Sequence, residues 1–392
     1  MTWTIRILAG LLIAALALFY GVLPPRVDAG MNRVEPHEPY SVSAHAEALH
    51  AATPVADLHA DTLLWMRDPA RRHARGHTDI PRLREGGMFL QVFTAVTKTP
   101  AGQNYEENDA GSDRITLLAL AQRWPRRTWG SIEERARYQA QRLHEAAADD
   151  KGFAVILSRE DLEAALEARS ARPDMMAGIL GTEGSHPLEG DLAAIGRLFA
   201  DGYRVMGLQH FFDNALGGSL HGEAKSGLTA FGREAVAEMD RLGIVVDVAH
   251  SAEAVVEDVL AMTDRPVIVS HTGFQGHCPS PRNISDELMG RIAEAGGLIG
   301  VGFWADVVCD ASPEGIADAI AYGIDRFGED AIALGSDFDG TVTTRLDATE
   351  LPALTEALLR RGLNERQVRK VMGGNAVRFF LDTLPGKAEQ TL

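Results

Sequence analysis

The sequence predicts an α/β fold, a (β/α)8 TIM barrel preceded by a short N-terminal membrane or signal segment. Eight short apolar runs, rich in β-branched residues or flanked by glycine, alternate with amphipathic stretches of helical periodicity. The 392 residues are enough for one such barrel as a single domain. From the pattern alone, the main alternative is a doubly wound open sheet.

Each predicted strand is an apolar run of only a few residues, as is typical of buried parallel strands. The runs are Val55–Leu58, Met88–Ala95, Met176–Gly181, Val205–Leu208, Ile244–Val248, Val267–Ser270, Leu298–Val301 and Ala331–Gly335. Helices are predicted between them at Leu192–Ala200, Arg233–Leu242, Ala252–Met262, Asp286–Ala295 and Gly315–Phe327. A C-terminal helix near Glu365–Leu381 would complete the barrel. Thr97–Lys151 is interpreted as an excursion with helices of its own.

The first 29 residues are predicted to be a signal peptide or an N-terminal membrane anchor. Ile7–Leu23 is almost entirely apolar and is followed by Pro24 and Pro25. The run is short for a spanning helix and long for a signal-peptide core, so both alternatives stay open. Either one predicts export to a periplasmic or other extracytoplasmic location, with the protein anchored by this segment or released by cleavage after Ala29.

The expected domain organisation follows from these boundaries. It is residues 1–29 as the signal peptide or anchor, 30–52 as a linker with a short helix, 53–385 as the barrel and 386–392 as a tail.

The charge balance limits the class of partner. With 55 acidic and 38 basic residues, the formal net charge is -17. Nucleic acids and anionic lipids require clustered Lys and Arg, so neither is expected as the main partner. The balance says little about a small substrate.

The chain has two cysteines, Cys278 and Cys309. An isolated pair is a disulfide candidate in an oxidising compartment and two buried thiols in the cytosol. Because export is predicted, a disulfide is favoured.

Acidic residues and histidines follow six of the predicted strands, where the catalytic groups of a barrel lie. His59 and Asp61 end the first strand and lie on one side of it, because side chains alternate along a strand. A single histidine near a strand end is more often structural than a ligand, but seven such residues are harder to dismiss. They are His59, Asp61, Glu183, His210, His250, His271 and Asp337.

Five of these residues are predicted to hold two zinc ions. Imidazole and carboxylate donors without a thiolate suit zinc, and three histidines with two acids suit a pair of ions about 3.5–4 Å apart under a bridging carboxylate. No lysine is among the strand-end residues, so Glu183 is the predicted bridge. The predicted metal ligands are His59, Asp61, Glu183, His250 and His271. Asp247, inside a strand, is expected to orient a ligand histidine, and His73, His77, His144 and His277 are expected to be solvated.

Several motifs, in the same order along the chain, resemble those of the membrane dipeptidase (renal dipeptidase) family, peptidase family M19, a branch of the metal-dependent amidohydrolase superfamily. The resemblance runs from about Pro54 to Thr383. The motifs are Asp57–Trp65 (DLHADTLLW), Gly181–His186 (GTEGSH), Gly227–Gly232 (GLTAFG), Val246–His250 (VDVAH), Val267–His271 (VIVSH), Pro281–Asn283 (PRN) and Gly335–Gly340 (GSDFDG).

The resemblance implies a zinc-dependent dipeptidase in which a hydroxide between two ions attacks the peptide bond. Glu183 would belong to both ions, with His59 and Asp61 on one side and His250 and His271 on the other. His210, Arg282 and Asp337 would contact the substrate. His210 would polarise the carbonyl, Arg282 would bind the terminal carboxylate, and Asp337 would carry a proton from the water to the leaving amine. The family's exported mammalian members also carry a disulfide at the positions of Cys278 and Cys309.

The resemblance leaves the substrate preference and the oligomeric state open. The loop Asp213–Leu216 departs from the Asn-Thr-Pro-Trp that the family often carries, so the side-chain preference is not fixed. The sequence also leaves open whether D-residues are accepted at the C-terminal position. The resemblance implies β-lactam ring opening as a side activity. The oligomeric state is not fixed either, and a homodimer is compatible with the sequence.

The alternatives are another binuclear amidohydrolase-type hydrolase acting on lactams, esters or N-acyl amino acids, a mononuclear deaminase, and a non-catalytic barrel that serves as a binding protein. A deaminase would not need Glu183, and a degenerate barrel would have lost its ligands.

Overall fold

Eight parallel strands close into a barrel in the computed structural model, which describes residues 2–388. Each barrel strand lies close to one of the predicted apolar runs. The strands are β1 (Arg33–Val34), β2 (Val55–Ala60), β3 (Met88–Val96), β4 (Phe153–Val155), β5 (Met176–Glu183), β6 (Tyr203–Gly207), β7 (Val245–Asp247), β8 (Ile268–Thr272), β9 (Leu298–Val301), β10 (Ile332–Leu334) and β11 (Thr343–Thr344).

The ring runs β2, β3, β5, β6, β7, β8, β9, β10 and back to β2. The pairing of β3 with β5 joins Leu90–Val96 to Ala177–Glu183 and closes the sheet. An open doubly wound sheet is therefore excluded, and the predicted barrel is confirmed. Strand β4 pairs only with the start of β5, so it lies outside the ring and was not predicted.

The helices of the described residues include the five predicted between the strands and several that were not predicted. They are α1 (Thr2–Ala17), α2 (Leu23–Met31), α3 (Ala44–Ala51), α4 (Ile80–Glu85), α5 (Arg114–Ala121), α6 (Ile132–Asp149), α7 (Arg159–Ala171), α8 (Ala193–Ala200), α9 (Ala230–Leu242), α10 (Glu253–Met262), α11 (Asp286–Glu294), α12 (Ala305–Val308), α13 (Pro313–Phe327), α14 (Leu351–Arg360), α15 (Glu365–Arg369) and α16 (Asn375–Thr383).

The predicted C-terminal helix is divided into α15 and α16 by a π-helical turn, Lys370–Gly374. A Cβ atom on Gly373 would lie 2.0 Å from the carbonyl oxygen of Pro54. Glycine therefore allows the turn to approach the chain just before β2, and the helix cannot stay regular there. The predicted tail, 386–392, lies largely outside the described residues.

The N-terminal segment is helical through α1, a π-helical turn at Leu18–Val22, and α2. Among the described residues, one helix, Trp3–Met31, is long and apolar enough to cross a membrane. It is a candidate membrane or signal segment, as the sequence predicted.

Residues 30–52, expected to be a linker with a short helix, make specific contacts with the barrel. Strand β1 pairs with β11 in parallel. The hydroxyl of Ser43 donates to Glu356, and the Nδ1 atom of His50, in helix α3, lies 2.8 Å from the hydroxyl oxygen of Thr355. This stretch therefore fixes the path of the chain between the N-terminal helix and β2.

Cys278 and Cys309 form a disulfide bond, as predicted. The bond joins the loop after β8 to the residue that follows α12. Arg282 lies inside the segment that the bond closes. The disulfide therefore limits the freedom of the loop that carries this arginine.

Replacing both cysteines by serine is expected to lower the free energy of unfolding by about 3–4 kcal/mol in the chain-entropy account, because the bond closes a loop of 31 residues. Thermal unfolding with and without a thiol reductant measures this. The reductant should lower the Tm of the natural protein and leave that of the double variant unchanged. Equal Tm values for the natural protein with and without reductant would contradict a stabilising role.

Candidate metal centre and substrate pocket

The carboxylate of Glu183, the last residue of β5, lies among four imidazoles. Its Oε1 atom is 3.3 Å from Nε2 of His210 and of His250, 3.5 Å from Nε2 of His271 and 3.6 Å from Nε2 of His59. The five side chains come from five neighbouring or facing strands. Closure of the barrel, and not local sequence, therefore brings them together.

Two further carboxylates complete the cluster. The Nε2 atom of His59 is 3.6 Å from Oδ1 of Asp61 and 4.0 Å from Oδ1 of Asp337. Asp337 and His250 have φ values of 60° and 63°, in the left-handed region. Such backbone costs a non-glycine residue about 1–3 kcal/mol and is concentrated at functional sites. This strained backbone conformation orients the side chains of His250 and Asp337 into the cluster.

The donor set is suited to binding metal ions. Ligand atoms at about 2.0–2.2 Å from a tetrahedral ion lie roughly 3.3–3.6 Å apart, which is the range of the distances around Glu183. The buried Nε2 atom of His59 has no hydrogen-bond partner. The seven acidic and histidine residues predicted from the sequence form three overlapping groups of possible ligands. These groups are His59–Glu183–His271, Glu183–His210–His250 and His59–Asp61–Asp337.

The structure groups His210 with Glu183 and His250. The sequence assigned this histidine to the substrate and not to a metal. Its Nδ1 atom is buried and has no hydrogen-bond partner among the described residues. Its Nε2 atom lies 3.3 Å from Oε1 of Glu183, so His210 belongs to the cluster of side chains around Glu183.

Ser270 orients two of the imidazoles, a role that sequence reasoning missed. Its Oγ atom lies 3.0 Å from Nδ1 of His59 and 2.9 Å from Nδ1 of His271, so the Nε2 atoms of both rings point into the cluster. Asp247 accepts from the backbone amides of Ser270 and Ala249. Asp247 therefore acts on the histidines only through Ser270. A serine directly before a strand-end histidine was the available signal.

Asp61, Glu183 and Asp337 bring three carboxyl groups close together in the cluster. Burial opposes the charged form of His59, but the carboxylates of Asp61, Glu183 and Asp337 raise the pKa of His59 to about 10. Burial, and then the nearby Glu183, raises the pKa of Asp61 to about 6. Burial likewise holds the pKa of Asp337 well above its usual value, with Glu183 and Asp61 adding to the effect. A bound cation would relieve this repulsion.

Arg282 lies beside the cluster and is buried. Its Nη2 atom donates to the carbonyl oxygen of His271 at 2.8 Å and is 3.3 Å from Nε2 of His250. Its Nε atom has no hydrogen-bond partner. The guanidinium also stacks 5.9 Å from the ring centre of Trp304. A cationic group with a free donor thus lies at the wall of the cavity.

The cluster opens into a cavity of about 680 Å³. Asp61, Glu183, His210, His250, Arg282 and Asp337 all line it.

A family model described as membrane dipeptidase (peptidase family M19) matches residues 43–389.

The chain belongs to the membrane dipeptidase family. It is therefore a member of a family of metallopeptidases that hydrolyse peptide bonds, and the resemblance stated from the motifs is confirmed. Metal use is implied by the family, and the cluster around Glu183 is where this chain offers ligands.

Solved structures agree with this membership. An amidohydrolase from Pseudomonas aeruginosa is 26% identical with a TM-score of 0.67, over 86% of this chain and 99% of that one. A dipeptidase of family M19 is 28% identical with a TM-score of 0.67, over 85% and 99%. A metallopeptidase from Rhodobacter sphaeroides, bound to a phosphinate mimic of L-Ala-D-Ala, is 28% identical with a TM-score of 0.65, over 85% and 99%.

Replacing Ser270 by alanine is expected to weaken metal binding by about 10–100-fold, because both imidazoles lose the group that orients them. Competition with a chelator measures the affinity. Ser158→Ala is the control, since this serine is also buried but its hydroxyl caps helix α7. Equal metal affinities for the two variants would contradict the role assigned to Ser270.

Proposed function

We propose that this protein is a zinc-dependent dipeptidase that binds two zinc ions per chain and hydrolyses the peptide bond of dipeptides. The observation that carries the proposal is the position of Glu183, whose Oε1 atom lies 3.3–3.6 Å from four imidazole nitrogens. A single carboxylate so placed can belong to two ions at once. This arrangement also disfavours a mononuclear deaminase, which has no use for such a bridge.

The proposed ligands of one ion are His59, Asp61 and Glu183, and those of the other are Glu183, His250 and His271. Mixed nitrogen and oxygen donors favour zinc over magnesium or calcium, which prefer oxygen alone. Two zinc ions would acidify a water molecule to a nucleophile at neutral pH and polarise the carbonyl of the peptide bond. The proposed ligands would hold these ions beside the cavity, which Asp61, Glu183 and His250 line.

Three side chains act on the substrate in this proposal. His210, which lines the cavity and whose Nε2 atom lies 3.3 Å from Oε1 of Glu183, hydrogen-bonds the carbonyl oxygen as it gains charge. Asp337 lines the cavity beside His59, takes a proton from the attacking water and delivers it to the leaving amine. Arg282 binds the C-terminal carboxylate, because a buried guanidinium with a free donor has a carboxylate as its natural partner.

The proposed location is outside the cytoplasm, in the periplasm or an equivalent compartment. The apolar N-terminal helix provides an export signal, and the disulfide between Cys278 and Cys309 is of a kind that persists in oxidising compartments. A homodimer stays an untested expectation.

The metal-loaded protein is expected to hydrolyse dipeptides with two zinc equivalents per chain, and a chelator should abolish turnover. The assay is a library of L,L and L,D dipeptides, with C-terminally amidated dipeptides, N-acyl amino acids and a β-lactam beside it. Amidated dipeptides should lose about 100-fold or more in kcat/KM, because Arg282 stays buried without its partner. If the protein cleaved only N-acyl amino acids or lactams, and no dipeptide, the result would favour the alternative, a binuclear amidohydrolase-type enzyme that is not a dipeptidase.

Replacing Asp337 by asparagine is expected to lower kcat by about 10²–10⁴-fold, because the amide cannot carry the proton. The variant should still bind two zinc ions, since none of the proposed ligands has changed. Metal analysis and kcat are measured on the same sample. Turnover near that of the natural protein would remove Asp337 from the mechanism.

A further inference from the structure

The end of the N-terminal apolar segment lines the substrate cavity. Phe19, Leu23, Pro24, Val27 and Met31 line the same cavity as the side chains of the Glu183 cluster. These residues belong to the π-helical turn and to α2, not to α1. A segment that would normally be regarded as separate from the catalytic domain thus forms part of its pocket.

A buried ion network holds α2 in this place. Asp28 is 1% exposed, and its Oδ2 atom is 2.9 Å from Nε of Arg67 and 2.7 Å from Nε of Arg75. On its other side, Nη2 of Arg67 lies 2.8 Å from Oδ2 of Asp339. Cleavage after Ala29 would remove Asp28 and leave Arg67 buried with one of its two carboxylates, which is costly for a buried cation.

The N-terminal helix, Trp3–Met31, is longer than a membrane span requires. It can therefore be divided into a part that spans the membrane and a part, α2, that packs against the barrel. The stretch from Trp3 to Val22 is about 20 residues, or about 30 Å of helix, which matches the apolar core of a bilayer. The large apolar side chains of α1 are exposed, so they pack on nothing in the described part of the protein. Helix α2 follows this stretch and is not needed to cross the membrane.

Other exposed apolar residues lie near the cavity that the N-terminal segment lines. Among the described residues after Met31, the exposed large apolar side chains are Met66, Leu117 and Trp129. Leu117 lines the cavity, and Met66 follows Trp65, which also lines it. Trp129 donates to the carbonyl oxygen of Trp124, which packs with Trp65. The mouth of the cavity therefore lies where the chain would leave a bilayer.

The apolar wall lies across the barrel from Arg282. This arginine follows β8, and β8 is four places from β3 in either direction around the ring. Val96 ends β3, and Ile115 and Leu118 lie in the excursion that follows it, with Val27 packed against this group. A dipeptide bound as proposed above, with its carboxylate on Arg282 and its peptide bond at the Glu183 cluster, would extend its N-terminal side chain towards this wall.

We propose that Phe19–Met31 stays attached to the mature protein. Its cavity-lining residues, Phe19, Leu23, Pro24, Val27 and Met31, form the wall that receives the N-terminal side chain of the dipeptide. The enzyme should then prefer dipeptides whose N-terminal residue is large and apolar. This inference rests on the dipeptidase function proposed above. It makes the anchor a specificity-determining part of the enzyme and keeps the pocket mouth at the membrane surface.

The test uses the full chain in detergent or lipid nanodiscs, with Gly-Gly, Leu-Gly and Phe-Gly as substrates. The natural protein should cleave Leu-Gly and Phe-Gly with kcat/KM about ten-fold or more above that of Gly-Gly. Val27→Phe, which fills the pocket, should lower kcat/KM for Phe-Gly about ten-fold and change that for Gly-Gly by less than about two-fold. Val27→Ala should also lower kcat/KM for Phe-Gly several-fold, because it removes the contact without adding bulk.

Val22→Phe is the matched control, because Val22 lies in the same segment but does not line the cavity. It should leave all three substrates unchanged. Equal effects of Val27→Phe and Val22→Phe, or an equal loss for Gly-Gly and Phe-Gly, would overturn the inference while leaving the dipeptidase function intact. So would an intact-protein mass showing that the mature, active chain begins after Ala29. Failure of every dipeptide to react would instead remove the proposed function itself, and the inference with it.

Discussion

The structure depends on one electrostatic constraint, the need to surround the buried carboxylate of Glu183. A buried carboxylate without partners is far more costly than any single contact can repay. Here burial raises the pKa of Glu183, but His210, His250 and His59 together hold that pKa well below its usual value. The barrel meets the constraint because the carboxyl ends of its parallel strands converge, so that imidazoles from β2, β6, β7 and β8 reach one oxygen atom.

The same constraint explains features that are unfavourable when taken alone. His250 and Asp337 have left-handed backbone, and the rings of His250 and His271 bring their Nε2 atoms to 2.9 Å from each other. Each feature costs stability, and each turns a donor atom inward. The strands provide the compensation, because every residue of β2, β3 and β5 is buried and packs in the core. A stable barrel can therefore carry a strained, charged centre.

The fold and the converging residues could be predicted because their signals are local. Each barrel strand lies at a mainly apolar run, and each cluster residue ends or follows such a run within a few positions. The predictions that failed concern partners distant in the sequence. His77, expected to be solvated, is buried, and its Nδ1 atom accepts from the backbone amide of Asp339, 262 residues away. The role of Ser270 likewise depends on His59, on another strand, so the serine next to His271 in the sequence indicates only one of its two contacts.

The N-terminal segment shows the same limit in a stronger form. Its long apolar run differs in composition from the barrel sequence. The sequence therefore predicts an independent signal peptide or membrane anchor. Yet Arg67 lies between Asp28 of this segment and Asp339, two residues after Asp337. One buried guanidinium thus joins the helix that lines the pocket to the loop that carries the proposed proton carrier. Because Arg67 contacts both carboxylates, one side chain contributes to the position of the helix and to that of the loop after Asp337.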